Sequence, residues 1–234
     1  MLHCHARAIV CGLARARTTT NPPNPSMPIE LHAFDTPNGR KISVALEEMA
    51  LPYVVKIVDI RKGEQREPEF LKISPSGMIP VIVDPDGPGG EAISVFESGA
   101  ILIYLGEKSG KFWPRDLRAR IRVLEWLMFQ LGNFGPVPGQ VHHFATVENE
   151  ADRRYGLERY MKQTRRLYGV MNLRLATRDF FADELSIADF AILGWAWRHP
   201  RHKVDLADFP NVKRWYEMMM ARPGVARGFA VKLS

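Results

Sequence analysis

Three short segments, taken in their order along the chain, constrain the fold more than any other feature of this sequence. Thr36-Pro37-Asn38-Gly39 follows an apolar strand pattern at 29–34, Met78-Ile79-Pro80-Val81 comes next, and Glu97-Ser98-Gly99-Ala100 opens an apolar helix pattern. A second strand pattern, rich in β-branched residues, covers 53–58 after a helical pattern. Because a helix joins these two strand patterns, we expect a parallel pair with a right-handed crossover.

The rest of the first half predicts an antiparallel pair of strands. Pro68–Lys72 has the pattern of a short helical turn. Segments 81–83 and 92–95 then form a hairpin-like pair around the turn-rich residues 84–90. The resulting order, β-α-β-α-β-β-α, is that of a thioredoxin-like layer.

The second half of the sequence contains helical patterns only. After a linker-like segment with Pro114, these patterns cover about 117–134, 151–178, 186–199 and 209–222. Ser186 and Asp189 have the spacing of a capping box at the start of a buried helix. We therefore expect an α/β thioredoxin-like N-terminal domain followed by an all-α C-terminal domain. The predicted division is a non-globular extension at 1–26, a thioredoxin-like domain at 27–109, a linker at 110–116 and a helical domain at 117–234.

Composition indicates an ordinary soluble protein, with 46% hydrophobic and 25% charged residues. No apolar run approaches the ~20 residues that span a bilayer, so no membrane association is expected. The net charge of +6 raises the question of nucleic-acid binding. However, the basic residues are dispersed among acidic ones, and part of the excess lies in the N-terminal extension. We therefore expect no nucleic-acid partner, and the basic balance also suits small anionic ligands.

Only two cysteines occur, Cys4 and Cys11, and both lie in the N-terminal extension. A disulfide framework for the folded body is therefore excluded, which favours a reducing, cytoplasmic location. The segment His3-Cys4-His5 matches no reliable ligand spacing, so no metal is expected. The extension itself is basic and free of acidic residues, so it is interpreted as a disordered tail, an upstream extension of a protein starting at Met27, or a targeting peptide. We favour the first two.

Several motifs together resemble those of one enzyme family. They are Thr36-Pro37-Asn38-Gly39, Pro68-Glu69-Phe70-Leu71, Ser74-Pro75, Ile79-Pro80, Phe96-Glu97-Ser98-Gly99-Ala100-Ile101, Phe134-Gly135-Pro136, Gly139-Gln140, His142-His143-Phe144 and Glu158-Arg159-Tyr160. From Met27 to about Val231 the chain resembles the glutathione transferases. More narrowly, it is similar to the bacterial Nu class, which acts mainly as a glutathione-dependent disulfide reductase. The resemblance implies glutathione as co-substrate and a homodimer.

Two motifs predict how glutathione is held. Pro80 is expected to be cis, which would present the Ile79 backbone N–H and C=O to the cysteinyl backbone of the tripeptide. A helix N-terminus suits a carboxylate. The resemblance implies that Glu97 holds the γ-glutamyl ammonium and Ser98 its carboxylate, although simple helix capping is the alternative for both residues. It also implies glutathione contacts from Gln65 and from Arg159, the latter possibly belonging to the neighbouring subunit.

Thr36 and Asn38 stand where the resemblance places the glutathione sulfur. A free thiol has a pKa of about 8.5 and reacts as the thiolate. The Thr36 hydroxyl, the Asn38 amide and the start of a helix near Gly39 would stabilise that anion. The alternative is an ordinary turn. We expect Asn38 and Thr36 to be the catalytic residues, with Asn38 the more important.

These observations predict a glutathione-dependent disulfide reductase and glutathione transferase that acts on a small disulfide or electrophile. Because no cysteine lies outside the extension, the thiolate must belong to glutathione. The alternative function is a non-catalytic binding or assembly module of the same fold. Arg40 and Lys41 are interpreted as solvated helix charges and His142-His143 as structural. The aromatic residues Trp126, Phe129, Trp195 and Trp197 are assigned to the core.

Overall fold

The computed structural model describes residues 27–234. Its first part alternates strands and helices, and its second part is helical. The elements are β1 (Ile29–Ala33), α1 (Pro37–Met49), β2 (Tyr53–Ile57), α2 (Pro68–Ile73), β3 (Val81–Asp84), β4 (Ile93–Phe96) and α3 (Ser98–Ser109). They are followed by α4 (Leu117–Phe129), α5 (Pro136–Phe144), α6 (Glu150–Arg174), α7 (Ile187–Ala196), α8 (Pro210–Met220) and α9 (Pro223–Ala230).

The four strands form one mixed sheet in the order β2-β1-β3-β4. Strand β1 pairs in parallel with β2 and antiparallel with β3, and β3 pairs antiparallel with β4. This arrangement confirms the thioredoxin-like layer predicted from the strand and helix patterns. Strand β1 is central, so its Leu31 side chain is fully buried.

Helix α1 is largely buried. Thr36 caps its N-terminus and Pro37 occupies the first turn, where a missing N–H is harmless. The helix packs against α3, α7 and α9. Glycines allow the close approach of two of these helices: a Cβ at Gly194 would lie 2.6 Å from the Pro37 carbonyl oxygen, and a Cβ at Gly228 would lie 2.5 Å from Val44 Cα. As a result, α1 is covered by the helical half of the chain.

The interpretation of Arg40 and Lys41 as solvated charges is wrong, because both side chains are buried beneath that cover. Arg40 is 7% exposed and Lys41 is 1% exposed. The Arg40 guanidinium pairs with Asp35 at 2.8 Å. It also donates to the carbonyl oxygens at the end of α9, those of Gly228, Phe229 and Val231. A helix C-terminus is a favourable partner for a cation, so Arg40 fastens α9 to α1.

In the helical half, the four predicted segments correspond to α4, α6, α7 and α8. Helices α5 and α9 lie outside them. Both are rich in proline and glycine, a composition that predicts a loop, although proline in a first helical turn is compatible with a helix. Helix α3 ends at Ser109 and α4 begins at Leu117; domain boundaries at these points stay a prediction. None of the helices within residues 27–234 combines the length and apolarity needed to span a membrane.

The capping box at the start of α7 is confirmed. The Asp189 carboxylate accepts hydrogen bonds from the Ser186 N–H at 3.0 Å and from the Ser186 hydroxyl at 3.1 Å. It also accepts from the Phe181 N–H at 3.2 Å and from Trp215 Nε1 at 3.1 Å. This buried carboxylate therefore joins the loop before α7 to α8 and fixes the position of α7 in the core.

Candidate functional site

A cavity of about 370 Å³ lies between the N-terminal layer and the helical half. Its lining includes Asn38 and Lys41 from α1, Glu97 and Ser98 at the start of α3, and Gln130 and Trp195 from the helical half. Three of the predicted site residues, Asn38, Glu97 and Ser98, therefore meet at one place. A larger cavity of about 440 Å³ near Trp113 has none of the predicted site residues in its lining.

The amide of Asn38 has a fixed orientation. Trp195 Nε1 lies 2.9 Å from Asn38 Oδ1. An indole N–H is a donor only, so its partner must be the amide oxygen. The Asn38 NH₂ group is then the free end of the side chain, and among residues 27–234 it makes no hydrogen bond. Asn38 therefore offers a donor at the cavity. Trp195 packs against the core, as its assignment predicts, and in addition its side chain lines the cavity and orients Asn38.

Thr36 lies at the first turn of α1 and does not line the cavity. Its Oγ1 accepts a hydrogen bond from the Gly39 N–H at 3.1 Å. The hydroxyl proton is not used in that bond, so it remains available for donation. Gly39 is needed because a Cβ there would collide with the Phe34 carbonyl oxygen. The segment is thus both a helix cap and a set of donors next to Asn38.

Glu97 and Ser98 form the start of α3. The Glu97 backbone has a φ of 68°, an unfavourable region for a residue with a Cβ. Its side chain is exposed and makes no capping hydrogen bond to the helix. The structure therefore gives no support to capping by the Glu97 side chain. Backbone strain of this kind persists where the surroundings fix it and is frequent at binding sites.

Lys41 and Gln130 form the floor of the cavity and were not predicted. Lys41 Nζ donates to Ser98 Oγ at 3.1 Å and to Gln130 Oε1 at 2.6 Å. Burial lowers the pKa of Lys41 to about 7, although the nearby Glu97 carboxylate acts in the opposite direction. Gln130 is held in a π-helical turn, Gln130–Phe134, which follows α4. One feature of the sequence could have indicated that Lys41 is buried: it lies four residues before Ala45, on the apolar face of α1.

The Ile79–Pro80 peptide bond is cis. Pro80 is buried and Ile79 is half-buried, just before β3. Gln65 lies in a short 3₁₀ turn, and its Oε1 is buried without a hydrogen-bond partner in the described part of the chain. The Gln65 carbonyl lies close to Gly77, since a Cβ on that glycine would be 3.2 Å from it. Neither Gln65 nor Ile79 lines the cavity.

Arg159 and the histidine pair do not line the cavity. Arg159 is on the exposed face of α6 and does not line the cavity. The His142 ring stacks on Trp195, with centroids 5.9 Å apart, and on His202, with centroids 5.0 Å apart. Burial lowers the pKa of His142 to about 4, so the ring is neutral and supports Trp195. Within residues 27–234, no cluster of three or more His, Cys, Asp or Glu side chains could hold a metal. The His3-Cys4-His5 segment lies outside the described residues.

Comparison with known families assigns the class of protein. The model for the glutathione S-transferase N-terminal domain matches residues 36–108, and the model for the C-terminal domain matches residues 136–223. The chain therefore belongs to the glutathione transferase family, and the two-part fold is that of this family.

Individual relatives narrow the comparison. The chain is 45% identical over 201 residues to the disulfide-bond oxidoreductase YfcG of Escherichia coli K12, covering 85% of this chain and 93% of that protein. A glutathione transferase from Pseudomonas putida, solved with one glutathione disulfide per subunit, has 39% identity and a TM-score of 0.81, covering 87% of this chain and 91% of that one. A relative from Pseudomonas fluorescens Pf-5, solved with two glutathione molecules, has 42% identity and a TM-score of 0.81, covering 86% and 91%.

Proposed function

We propose that this protein is a glutathione-dependent disulfide reductase, with glutathione transferase activity, in which Asn38 and Thr36 stabilise the thiolate of bound glutathione. The observation that carries the proposal is the orientation of Asn38. Trp195 holds its amide oxygen, so its NH₂ group is the end left free at a cavity that Glu97 and Ser98 also line. The name of the Escherichia coli relative and the ligands of the Pseudomonas structures support this proposal.

In this proposal glutathione is held from several sides. Glu97, exposed and free of a capping role, pairs with the γ-glutamyl ammonium, while Ser98 at the helix N-terminus donates to the neighbouring carboxylate. The Ile79 backbone pairs with the cysteinyl backbone in the manner of a β-strand. Gln65 lies beside the loop that leads to Ile79 and completes the contacts.

The chemistry follows from the donors near the sulfur. Hydrogen bonds from the Asn38 NH₂ group and the Thr36 hydroxyl, together with the N-terminus of α1, favour the charged form and lower the pKa of the glutathione thiol. The thiolate attacks one sulfur of the substrate disulfide. The substrate S–S bond breaks, a mixed disulfide with glutathione forms, and the leaving thiolate takes up a proton. A second glutathione thiolate then attacks the mixed disulfide, releasing the second substrate thiol and glutathione disulfide.

The sequence supports glutathione rather than a protein thiol as the nucleophile. Cys4 and Cys11 are the only cysteines of the chain, and neither lies between residues 27 and 234. The two electrons that reduce the substrate disulfide therefore come from two glutathione molecules. The same cysteine usage supports the proposed cytoplasmic location, where disulfides are rare and glutathione is kept reduced.

We also propose that the protein acts as a homodimer in which Arg159 reaches glutathione from the neighbouring subunit. One face of α4 supports this proposal, because Leu117, Ile121 and Met128 are exposed by 70%, 46% and 50% at helical spacing. An exposed apolar stripe of this kind is typical of an interface.

The experiment that tests the proposed function compares reduction of 2-hydroxyethyl disulfide by the wild type and by Thr36→Ala/Asn38→Ala. Hydrogen bonds to a charged partner contribute about 1.5–3 kcal/mol each, so we expect turnover to fall by more than tenfold at neutral pH. Asn38→Asp is a sharper variant. It keeps the shape and the bond from Trp195 but replaces the donor by an anion, so it should be at least as damaging as Asn38→Ala. Unchanged turnover in the double variant would contradict the proposed mechanism.

Calorimetric titration of the same proteins with glutathione separates the catalytic proposal from the alternative of a non-catalytic module. A wild-type protein that binds glutathione and reduces no disulfide or electrophile would support a binding or assembly module. A wild-type protein that binds and turns over would exclude it. The double variant is expected to retain glutathione binding, because Glu97, Ser98 and the Ile79 backbone are unchanged.

A further inference from the structure

The Lys41 ammonium is buried beneath the cavity without a carboxylate partner. Its side chain is 1% exposed, and within residues 27–234 no carboxylate oxygen lies within 4.0 Å of its Nζ. Its two hydrogen-bond partners, Ser98 Oγ and Gln130 Oε1, are neutral. A buried charge is strongly unfavourable unless it is compensated. In the free protein, a protonated Lys41 therefore lacks a negatively charged partner in direct contact.

The surrounding elements are shaped to keep Lys41 there. Its aliphatic stem passes beside Gly194 of α7, where a Cβ would lie 2.7 Å from Lys41 Cγ. Gln130 is itself fully buried, and its Nε2 has no hydrogen-bond partner in the described part of the chain. The Gln130 side-chain oxygen therefore accepts a hydrogen bond from Lys41, while the NH₂ group of the same side chain makes none. A lysine with its ammonium group in solvent would need neither a glycine beside its stem nor a buried hydrogen-bond acceptor.

The contact with Ser98 fixes how that hydroxyl can act. In its protonated form Lys41 is a donor only, so the Ser98 oxygen then accepts, and the hydroxyl proton is left to donate elsewhere. The Ser98 hydroxyl makes no other hydrogen bond among residues 27–234, and Ser98 lines the cavity. With Lys41 protonated, the arrangement presents an O–H donor to the cavity with a cation directly behind it, which suits an anionic group.

We propose that Lys41 is a positioning residue for the α-carboxylate of the γ-glutamyl group of glutathione, that it acts through Ser98, and that it takes up a proton when this carboxylate binds. The inference rests on the proposed function and extends it to a residue two contacts away from the ligand. Gln130 anchors Lys41, and Glu97 is the charged group that acts on Lys41 in the free protein. The other residues named in contact with Lys41, which are Ser98, Gln130 and Gly194, do not titrate.

The proton uptake can be worked out from the free protein. With a pKa of about 7, Lys41 is about one quarter protonated at pH 7.5. A carboxylate bound next to Ser98 favours the charged form and moves the pKa back toward the ordinary value of 10.5. Binding at pH 7.5 should then take up about 0.7 proton per site, and binding at pH 6 almost none, since Lys41 is already protonated there.

The test is calorimetric titration with S-methylglutathione at pH 7.5 and pH 6, in buffers of different ionisation enthalpy. This ligand has no thiol, so thiol ionisation does not contribute. We expect uptake near 0.7 proton at pH 7.5 for the wild type, and no uptake for Lys41→Met together with about tenfold or greater weakening of binding. Lys213→Met, an exposed lysine on α8 paired with Glu217, is the matched control and should behave as the wild type.

A second ligand separates positioning from a structural role. In the S-methyl tripeptide with 4-aminobutyrate in place of γ-glutamate, the α-carboxylate is missing. Lys41→Met should bind this analogue as well as the wild type does, and the wild type should take up no proton with it. Equal weakening of both ligands in Lys41→Met would overturn the inference. Wild-type binding of S-methylglutathione without proton uptake would overturn it too, while leaving the proposed function intact. Failure of the wild type to bind S-methylglutathione would overturn both.

Discussion

Replacing Trp195 by phenylalanine removes the indole N–H that orients the Asn38 amide, 2.9 Å from Asn38 Oδ1, while keeping an aromatic ring against His142. In the wild type the amide has one favoured orientation, with its NH₂ group free for the sulfur. In Trp195→Phe the amide can rotate, and its oxygen then faces the thiolate in part of the population. The variant therefore weakens the stabilisation of the thiolate without touching a glutathione contact.

The magnitude follows from the hydrogen bonds involved. A bond from the Asn38 NH₂ group to a thiolate contributes about 1.5–3 kcal/mol, which corresponds to a thiol pKa lowered by about 1–2. The neutral hydrogen bond from Trp195 favours one orientation of the Asn38 amide by about 1 kcal/mol, and this preference is lost in Trp195→Phe. We expect Trp195→Phe to raise the pKa of bound glutathione by about 0.5–1, less than Asn38→Ala does. Turnover at neutral pH should fall by up to about tenfold, and glutathione affinity should change little.

The assay is ultraviolet absorbance of the glutathione thiolate, recorded against pH with saturated protein. Trp197→Phe is the matched control, because Trp197 directly follows the end of α7 and packs against Phe229 instead of Asn38. An unchanged thiol pKa in Trp195→Phe, with a raised value in Asn38→Ala, would refute the orienting role. Equal increases in Trp195→Phe and Trp197→Phe would refute it as well.

Three further predictions concern stability. Without ligand, the free energy of unfolding should rise between about pH 7 and 10.5, by up to about 1.4 kcal/mol per pH unit. The reason is that Lys41 binds more protons in the unfolded state than in the folded state over this range. Urea titrations should show that Lys41→Met removes this rise. Gly194→Ala should destabilise the fold and weaken glutathione binding, whereas Gly169→Ala, with no atom near its Cβ, should stabilise α6 by about 0.5–1 kcal/mol in the same measurement. Asp189→Ala should lower the free energy of unfolding by about 3 kcal/mol or more, because buried donors lose their acceptor.

The features that the sequence predicts well are those encoded locally. The capping box joins residues three positions apart, so Ser186 and Asp189 are enough to identify the start of α7. The strand and helix patterns of the first half likewise show β1, α1 and β2 directly. Helix α9 is different. Its Pro223, Gly224 and Gly228 predict a loop, whereas in the structure the two glycines let the helix pack closely against α1.

The parts of the site that escaped prediction depend on contacts between distant residues. The bond from Trp195 to Asn38 joins positions 157 residues apart, and the bond from Lys41 to Gln130 joins positions 89 residues apart. A pattern of a few residues contains no information about such pairs. The interpretation of Lys41 as a solvated charge is wrong for this reason, since a lysine beside an arginine near a helix start has the local pattern of a solvated charge. The roles of all the predicted site residues stay predictions: Thr36, Asn38, Gln65, Ile79, Pro80, Glu97, Ser98 and Arg159.

The most direct test of the account is glutathione-dependent reduction of 2-hydroxyethyl disulfide, run beside conjugation of chlorodinitrobenzene on one preparation, with the Cys4→Ser/Cys11→Ser variant as companion. The account predicts strong reduction, feeble conjugation and the same turnover in the variant, because the reacting thiolate belongs to glutathione. Loss of reduction in the cysteine-free variant would contradict the account by assigning the thiol to the protein. Absence of reduction in a wild-type protein that binds glutathione would contradict it as well.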